Sequence, residues 1–567
     1  MNIVLKNYEL WTSSVFDKKT ISNVVELKEK YPLDFEDSFY KELEFGTGGM
    51  RGIMGYGPNR VNKYTFGKTT QGICNFLKKE SNEKNISVVI GYDCRNNGKE
   101  LQQTVSNIFS SNGIKIHTFD SIQPTPLISF AVRELNCNCG IVLTASHNPP
   151  EYNGYKVYWK DGGQIVPPID KKLISEINKI KYSEIQFEKK ESLIKILDKG
   201  VEKNYLKKSL LYNNSIISNS NSKKLNIVFT SLHGTSYKLI PKLLKKSGFL
   251  NIKYVKEQMI PDGNFSNVNS SNPEDESSLK EAIEIAKKNN SDLVIGTDPD
   301  ADRFGIAVKN YNGKFVKING NQTMVVLTDY LLSKFRNKKA KSFIASTVVS
   351  TPMMSKIAKK NSIKIMLSLT GFKWIGKMIN DYPELDYICG GEESFGFLAG
   401  NHVRDKDAIT STLILSELCN ELKNKNSSFY DRLIECYINY GFFKEKLITE
   451  IAKGKKGAKE IDKKINSFRK NPPKLLDDSS VVKIYDYKNS LLTKTENNNL
   501  SEIELPKSNL IIFESSDGTR VAVRPSGTEP KIKYYFSVNT KLNSKADFNL
   551  KNDFLNKKIN SLIKQFI

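Results

Sequence analysis

The sequence predicts an α/β protein made of three similar rounds followed by a more strand-rich segment. Strand and helix patterns alternate along most of the chain, which argues for layered domains with mixed, mostly parallel sheets. The alternation comes round three times and each round closes with strand, polar loop, strand, so three related α/β domains are expected to present loops to one cleft. A chain of 567 residues also exceeds what one hydrophobic core organises. The expected domains are 1–205, 206–324, 325–438 and 439–567, the last of them α+β.

Taken in order, residues 1–45 read as helical and charged. The stretch FGTGGMRGIMGYG is too glycine-rich for a helix interior and reads as a loop whose backbone can approach a ligand closely, with Arg51 as a candidate phosphate contact. A helix over 69–79, a strand over 86–91 ending at Asp93 and Arg95, a helix, a strand over 113–119 and the turn Gln123-Pro124-Thr125-Pro126 follow, then a helix to Leu135. The first round closes with an apolar strand (140–143), the loop Thr144-Ala145-Ser146-His147-Asn148-Pro149 and a strand over 155–159. Pro149 and Pro150 prevent a helix from starting, so Ser146 sits on a short, stiff loop. Ser, Asn and Pro also make ordinary turns, so this hexapeptide alone leaves the nucleophile and turn readings both open.

The second round reads as helix (200–224), strand (226–230), helix (238–246), strand (251–255), helix (279–288) and strand (293–297), which runs into Asp298-Pro299-Asp300-Ala301-Asp302-Arg303 before a strand over 304–308. Carboxylates at i, i+2 and i+4 would lie about 6.6 Å apart along a straight strand, too far to share a Mg²⁺ that needs oxygens at about 2.0–2.1 Å. Pro299 is therefore expected to help curl the loop. Three clustered hard anions after a buried strand select Mg²⁺ or Ca²⁺ over zinc, and the spacing excludes an EF-hand. The third round runs through strands at 342–346 and 363–367, a helix at 353–360 and the segment TGFKWIGKMI. It closes with a strand over 387–389, the loop Gly390-Gly391-Glu392-Glu393-Ser394-Phe395-Gly396 and a strand over 397–399. The fourth segment reads as strands at 442–450, 481–487, 510–514, 520–523 and 531–538, with helices at 458–468 and from 548 onward. In its Arg524-Pro525-Ser526-Gly527-Thr528-Glu529-Pro530, hydroxyls and backbone N–H groups can donate to a phosphate while Arg524 supplies charge and a bidentate fork; such loops also occur as plain turns.

Composition narrows the class. With 39% hydrophobic and 26% charged residues the chain reads as a soluble globular protein, and the absence of a long apolar run or a signal-peptide core points to the cytoplasm, with no membrane partner. The seven cysteines are scattered, and Cys137 and Cys139 have no second pair to complete a zinc site, so reduced structural thiols are expected. The formal charge of +24, from 86 basic and 62 acidic residues, raises nucleic-acid binding as a minority reading. The lysines form no single stripe, however, and accompany abundant Asn and Ile, as drift toward A- and T-rich codons would produce.

TASHNP, DPDADR, GEESFG and RPSGTEP, one per expected domain and in that order, together with FGTGGMRG, LHGT, TGFKWIG and VRDKDA, resemble the α-D-phosphohexomutase superfamily of phosphoglucomutases and phosphomannomutases along essentially the whole chain. The pattern is most similar to the longer bacterial phosphoglucomutases and the phosphopentomutase-like branch. The resemblance implies a TATA-binding-protein-like fourth domain and a mutase acting through a phosphoserine and a sugar bisphosphate. It makes Ser146 the phosphoserine, Lys156 the general acid/base and His147 a further catalytic residue. Asp298, Asp300 and Asp302, with Ser146, become the ligands of one Mg²⁺ per active site, and a sugar bisphosphate the activator. Arg51, Arg303, Thr370, Gly371, Lys373, Glu392, Ser394 and Lys406 become substrate contacts, and Arg524, Ser526, Gly527, Thr528 and Lys533 the grip on the phosphate that is not transferred. Lys533 stands where some relatives carry arginine, replacing a bidentate fork with a point charge. The expected partner is a sugar phosphate, glucose first and mannose next, and the expected state a monomer or weak homodimer. A phosphopentomutase or a sugar-bisphosphate synthase of the same family is the near alternative. A Mg²⁺-dependent sugar phosphatase is the remote one, since it has no need of a second phosphate grip.

Overall fold

The computed structural model describes residues 3–46, 48–81, 85–216, 222–335, 341–452, 454–525 and 531–567. The first sheet runs β1 (Gly49–Ile53), β5 (Tyr152–Trp159), β4 (Cys139–Leu143), β2 (Ser87–Tyr92), β3 (Lys115–Thr118), β6 (Ile194–Ile196) in spatial order. Strands β4, β2, β3 and β6 are parallel; β5 is antiparallel to β4, and β1 to β5. The second sheet is β11 (Phe315–Ile318), β10 (Phe304–Lys309), β9 (Leu293–Thr297), β7 (Ile227–Thr230), β8 (Ile252–Tyr254). Read outward from its parallel edge, β8-β7-β9-β10-β11 repeats β3-β2-β4-β5-β1, including the antiparallel return after the functional loop. In the third domain β12 (Ser342–Thr347) lies between β13 (Lys364–Ser368) and β14 (Asp386–Gly391), parallel to both, as β2 lies between β3 and β4; β15 is Phe397–Ala399. The central strands β4, β7, β9 and β12 are buried at every position, the pattern of parallel strands covered on both faces.

The C-terminal domain is an antiparallel sheet, β16 (Phe442–Ile451), β23 (Lys531–Thr540), β22 (Arg520–Pro525), β21 (Ile511–Ser515), β18 (Ser479–Asp486), β19 (Leu491–Lys494), β20 (Asn499–Glu502), with β17 (Leu475–Leu476) beside β18. Phe468 from helix Gly454–Lys470 and Phe566 from helix Phe548–Phe566 stack on each other, and both meet Phe513 of β21 at a tilt, which fastens both helices to the sheet.

The chain forms two compact units. One comprises Met1–Asn319, Ile375–Pro383 and Phe395–Lys425; the other Gly320–Trp374, Glu384–Ser394 and Asn426–Ile567. The first unit's core gathers Trp11, Phe16 and Phe39 of the N-terminal helices with Tyr64, Phe66 and Tyr155. In the second, Val348, Val349 and Leu369 of the third domain pack against Leu510, Ile512, Ala522 and Tyr535 of the fourth, so those two domains share one core.

One expectation changes, and several elements were not foreseen. The segment around Arg51 is not a loop: it is edge strand β1, and Gly49 is required because a Cβ there would lie 2.0 Å from the Tyr155 carbonyl oxygen. Helices Gly320–Lys334 and Ala408–Asn424 escape the sequence reading because they are buried nearly all round and carry no polar stripe. The hairpin β19–β20 escapes for the opposite reason, since its strands carry little buried surface. Among the described residues no helix is long and apolar enough to cross a membrane. All seven cysteines are free thiols.

Candidate active site

Within the first unit, β4 delivers Ser146 to a turn where it adopts φ 52°, left-handed backbone that a residue with a Cβ seldom takes. Arg95 holds it there. Its guanidinium donates to the carbonyls of Ser146 (2.7 Å), Asn148 (2.5 Å), Pro149 (2.7 Å) and Tyr152 (2.7 Å). The Ser146 N–H donates to Thr144 Oγ1 (2.8 Å), and the Thr144 hydroxyl donates to Asp93. Arg51, on β1 opposite Gly154, donates to Asn148 Oδ1 (2.9 Å) and closes the far side of the loop.

The aspartate loop leaves β9 and curls through Ala301, at φ 55°, with the Ala301 N–H donating to the Asp298 carbonyl (3.0 Å). Pro299 therefore shares the bending with a left-handed alanine. The LHGT segment supports it from behind. Thr235 donates to the Pro299 carbonyl through N–H (2.8 Å) and Oγ1 (3.0 Å), and a Cβ on Gly234 would lie 2.5 Å from Pro299 Cα. One ligand oxygen from each of Asp298, Asp300 and Asp302 lies within 4.8 Å of the others, and all three residues are buried.

The Ser146 hydroxyl donates to Asp298 Oδ2 (2.8 Å) and lies 3.2 Å from His147 Nδ1. Lys156, projecting from β5, reaches Asp300 Oδ2 (2.6 Å) and Asp302 Oδ2 (3.0 Å), and Lys406 Nζ lies 3.1 Å from the same Asp302 oxygen. Asp300 Oδ1 and Asp302 Oδ1 are buried without a hydrogen-bond partner, Arg303 Nε standing 3.7 Å from the latter. Two such oxygens beside Asp298 suit a hard divalent cation, which would satisfy them together.

Burial raises the Asp298 carboxyl well above the usual range, with Asp300 and Asp302 adding to it. For Asp300 and Asp302 burial acts in the same direction, with Asp302 adding to it at Asp300, but Lys156 together with Thr125 at Asp300, and with Lys406 and Arg303 at Asp302, outweighs it, and both carboxyls are held low. Lys156 is raised: burial opposes its charge, and Asp300 and Asp302 more than restore it. Burial, with Arg303 and Arg51 nearby, pushes His147 well below its ordinary value, so its ring is neutral. The site thus holds a charged amine and a neutral imidazole.

The second unit carries another cluster. Glu392, at the end of β14, accepts from the Gly371 N–H (2.8 Å), and Gly371 takes φ 109°, open to glycine. This joins the TGFKWIG and GEESFG segments, with Thr370 just before Gly371 and Lys373 two residues after it. Glu393 accepts from Ser350 Oγ (2.8 Å). Arg524 lies on β22 opposite Lys533 on β23, and beside Tyr535, whose hydroxyl is raised by burial with Glu393 adding and Arg524 opposing. Ser526, Gly527 and Thr528 lie outside the described residues.

The structure brings Ser146, His147, Lys156, Arg51, Asp298, Asp300, Asp302, Arg303 and Lys406 together in one unit, and Thr370, Gly371, Lys373, Glu392, Ser394, Arg524 and Lys533 belong to the other. Sequence reasoning missed Arg95 as the organiser of the serine loop, because its partners are backbone carbonyls more than 50 residues away, as with Ser146 at a separation of 51, and leave no spacing signal. It also missed Glu274, which receives Arg303 Nη1 (3.1 Å).

Comparison with known proteins agrees with this layout. The α/β/α domain I, II and III models of phosphoglucomutase/phosphomannomutase match residues 42–184, 203–313 and 319–437. A phosphoglucomutase of Staphylococcus aureus strain MRSA252 is 36% identical over 535 residues, covering 94% of this chain and 95% of its own. That of the bovine strain RF122 / ET3-1 is 37% identical over 511 residues, covering 89% and 91%. Among solved structures, the open form of the Paramecium phosphoglucomutase pp63/parafusin superposes with a TM-score of 0.67 at 19% identity, covering 93% of this chain and 96% of its own. A phosphoglucomutase/phosphomannomutase family protein of Burkholderia thailandensis does so at 0.64 and 16%, covering 91% and 96%. The structures speak for the fold and the sequences for descent: the chain belongs to the phosphoglucomutase/phosphomannomutase family, the phosphotransferase mutases of the α-D-phosphohexomutase superfamily.

Proposed function

We propose that this phosphosugar mutase interconverts glucose 1-phosphate and glucose 6-phosphate through a phosphoserine at Ser146 and a bisphosphorylated sugar. The observation that carries the proposal is the meeting of Ser146 Oγ with Asp298 at 2.8 Å, on the loop whose other carboxylates hold Lys156. The 36% identical relatives named phosphoglucomutase support glucose as the sugar. Asp298, Asp300 and Asp302, with Ser146, would hold one Mg²⁺, which when bound supplies positive charge to the transferring phosphoryl oxygens.

The charge state found here suits the half-reaction that phosphorylates the serine. Ser146 Oγ attacks the phosphorus of a sugar bisphosphate, and its proton passes to the neutral His147 Nδ1, 3.2 Å away. The bond from phosphorus to the sugar oxygen breaks, and that oxygen takes the proton of charged Lys156. The reverse half-reaction uses the same groups in the opposite protonation states, with the amine accepting. Arg51 and Arg303 offset charge on the transferred group. Glu392 and Ser394, with Thr370, Gly371 and Lys373 beside them, bind sugar hydroxyls, and Lys406 contacts the substrate. Arg524, Ser526, Gly527, Thr528 and Lys533 hold the phosphate that is not transferred. The domain limits 1–205, 206–324, 325–438 and 439–567 belong to the same proposal, as does a cytoplasmic setting, which the free thiols favour.

The test is a panel of glucose, mannose and pentose 1-phosphates with glucose 1,6-bisphosphate as activator. Glucose 1-phosphate should turn over fastest; EDTA should abolish turnover and Mg²⁺ restore it. Release of inorganic phosphate in place of the 6-phosphate would make the chain a phosphatase instead.

A further inference from the structure

Beside the reacting groups, a second buried cluster converges on Lys406. Asp405, 1% exposed, receives Tyr158 Oη (2.7 Å) and Gln164 Nε2 (2.9 Å) on Oδ2, while its Oδ1 receives the Lys406 N–H (2.8 Å) and lies 3.1 Å from Lys406 Nζ. Both oxygens of the carboxylate are thereby fixed. The Lys406 ammonium lies between this carboxylate and Asp302 Oδ2, each at 3.1 Å, and Lys156 shares that same Asp302 oxygen. Two ammonium groups on one carboxylate oxygen repel each other, and the second carboxylate offsets that repulsion on the Lys406 side. The lysine stem is confined as well: a Cβ on Gly396 would fall 2.2 Å from Lys406 Cδ. Lys156 and Tyr158 stand two residues apart on β5 and so project from one face, which lets one strand set the acid/base amine and the support of its neighbour.

We propose that Asp405 is a positioning residue for Lys406, and that Tyr158 and Gln164 hold Asp405 in that task. The inference rests on the reading above that Lys406 contacts the sugar phosphate. A buried carboxylate with four donor groups is costly to assemble for packing alone, since apolar side chains of similar volume would fill the space at less desolvation cost.

Calorimetric binding of glucose 1-phosphate, run beside steady-state kinetics, tests it in the full-length protein. Asp405→Asn should weaken binding and raise KM about tenfold, with kcat falling less than threefold. Tyr158→Phe should act in the same direction by about threefold, and Asp405→Glu should recover most of the loss. In a Lys406→Met background the Asp405→Asn change should add nothing further, because the two residues act as one unit. Thermal melting is recorded for each variant. If Asp405→Asn is too unstable to purify, Tyr158→Phe carries the comparison in both backgrounds. Unchanged binding and KM in the folded variants overturns the proposal, and so does an equal loss with and without Lys406. A wild-type protein that neither binds nor turns over glucose 1-phosphate removes the functional reading itself; a wild type that does both while the variants match it removes only the positioning role.

Discussion

Ser146 shows how much one residue asks of its surroundings. A left-handed serine costs of order 1–3 kcal/mol, and such a conformation persists only where neighbours over-determine it. Arg95 and Thr144 do so here, from opposite sides of the peptide. The strain leaves Oγ against Asp298 and His147 instead of turned into the core. Ser146→Ala removes the acceptor of the phosphoryl group and one proposed metal ligand but none of the proposed sugar or phosphate contacts, so glucose 1-phosphate should still bind while turnover falls on the order of 10³-fold or more. Calorimetry and a coupled mutase assay on one preparation check both halves, and retention of most activity would sink the phosphoserine mechanism. The serine and the three aspartates were legible in the sequence because each follows an apolar strand and is crowded by turn residues or like charge. Arg95 was not: four carbonyl contacts on a loop distant in sequence leave no trace in local composition.

At the scale of elements, the repeated unit is a parallel strand, a loop and an antiparallel return. That unit was readable from alternation and punctuation at β4–β5 and β9–β10. What stayed hidden followed from physics that single segments do not display. Strand β1 looked like a loop because its glycines have low strand propensity, yet a close backbone approach demands Gly49. Helix Ala408–Asn424 is buried over thirteen consecutive positions and so lacks the amphipathic period that marks a surface helix. The LHGT segment was noticed only by resemblance; its physical role is to support Pro299. A methyl group on Gly234 would press on the Pro299 Cα and carbonyl, so Gly234→Ala should displace the aspartate loop. Half-maximal activation should then need several times more Mg²⁺, with the N-terminal helices undisturbed. A titration of activity against free Mg²⁺ decides this, and an unchanged midpoint would mean the support is unimportant.

Across the whole molecule, the C-terminal sheet carries a titratable group whose charge its surroundings oppose. Glu445, on β16 opposite Ser537, has its Oε1 buried without a hydrogen-bond partner, and burial pushes its carboxyl up to about 7, with Thr351 and Ser537 giving partial relief. An unfolded glutamate titrates near 4.3, so the fold prefers the protonated form. Its contribution is fully present below about pH 4.3. It declines as pH rises, because the unfolded chain gives up its proton first, and levels off above about 7 after a loss of up to about 4 kcal/mol. Glu445→Gln, neutral at every pH, should remove that slope between about pH 5 and 7, as read by hydrogen exchange on β16 and β23. An equal slope in wild type and variant would assign the pH dependence elsewhere.

The same unit carries Arg524, which the proposed mechanism places on the phosphate that does not react. If Arg524 grips the phosphate that does not react, its binding energy serves to orient the distant reacting end, as remote substrate contacts do in other enzymes. Arg524→Ala should then raise KM and lower kcat together, reducing kcat/KM roughly 10- to 100-fold for the loss of a charged, bidentate contact. Phosphorylation of Ser146 by a small phosphoryl donor, which has no second phosphate to hold, should fall far less. Arg524→Lys separates charge from geometry: it keeps the first and lacks the fork, so a partial loss is expected. Lys533, across the β22–β23 pair from Arg524, supplies a point charge but no fork and should not rescue the alanine variant. Unchanged steady-state kinetics in Arg524→Ala, or an equal fall in the small-donor reaction, would show that this arginine does not grip the substrate.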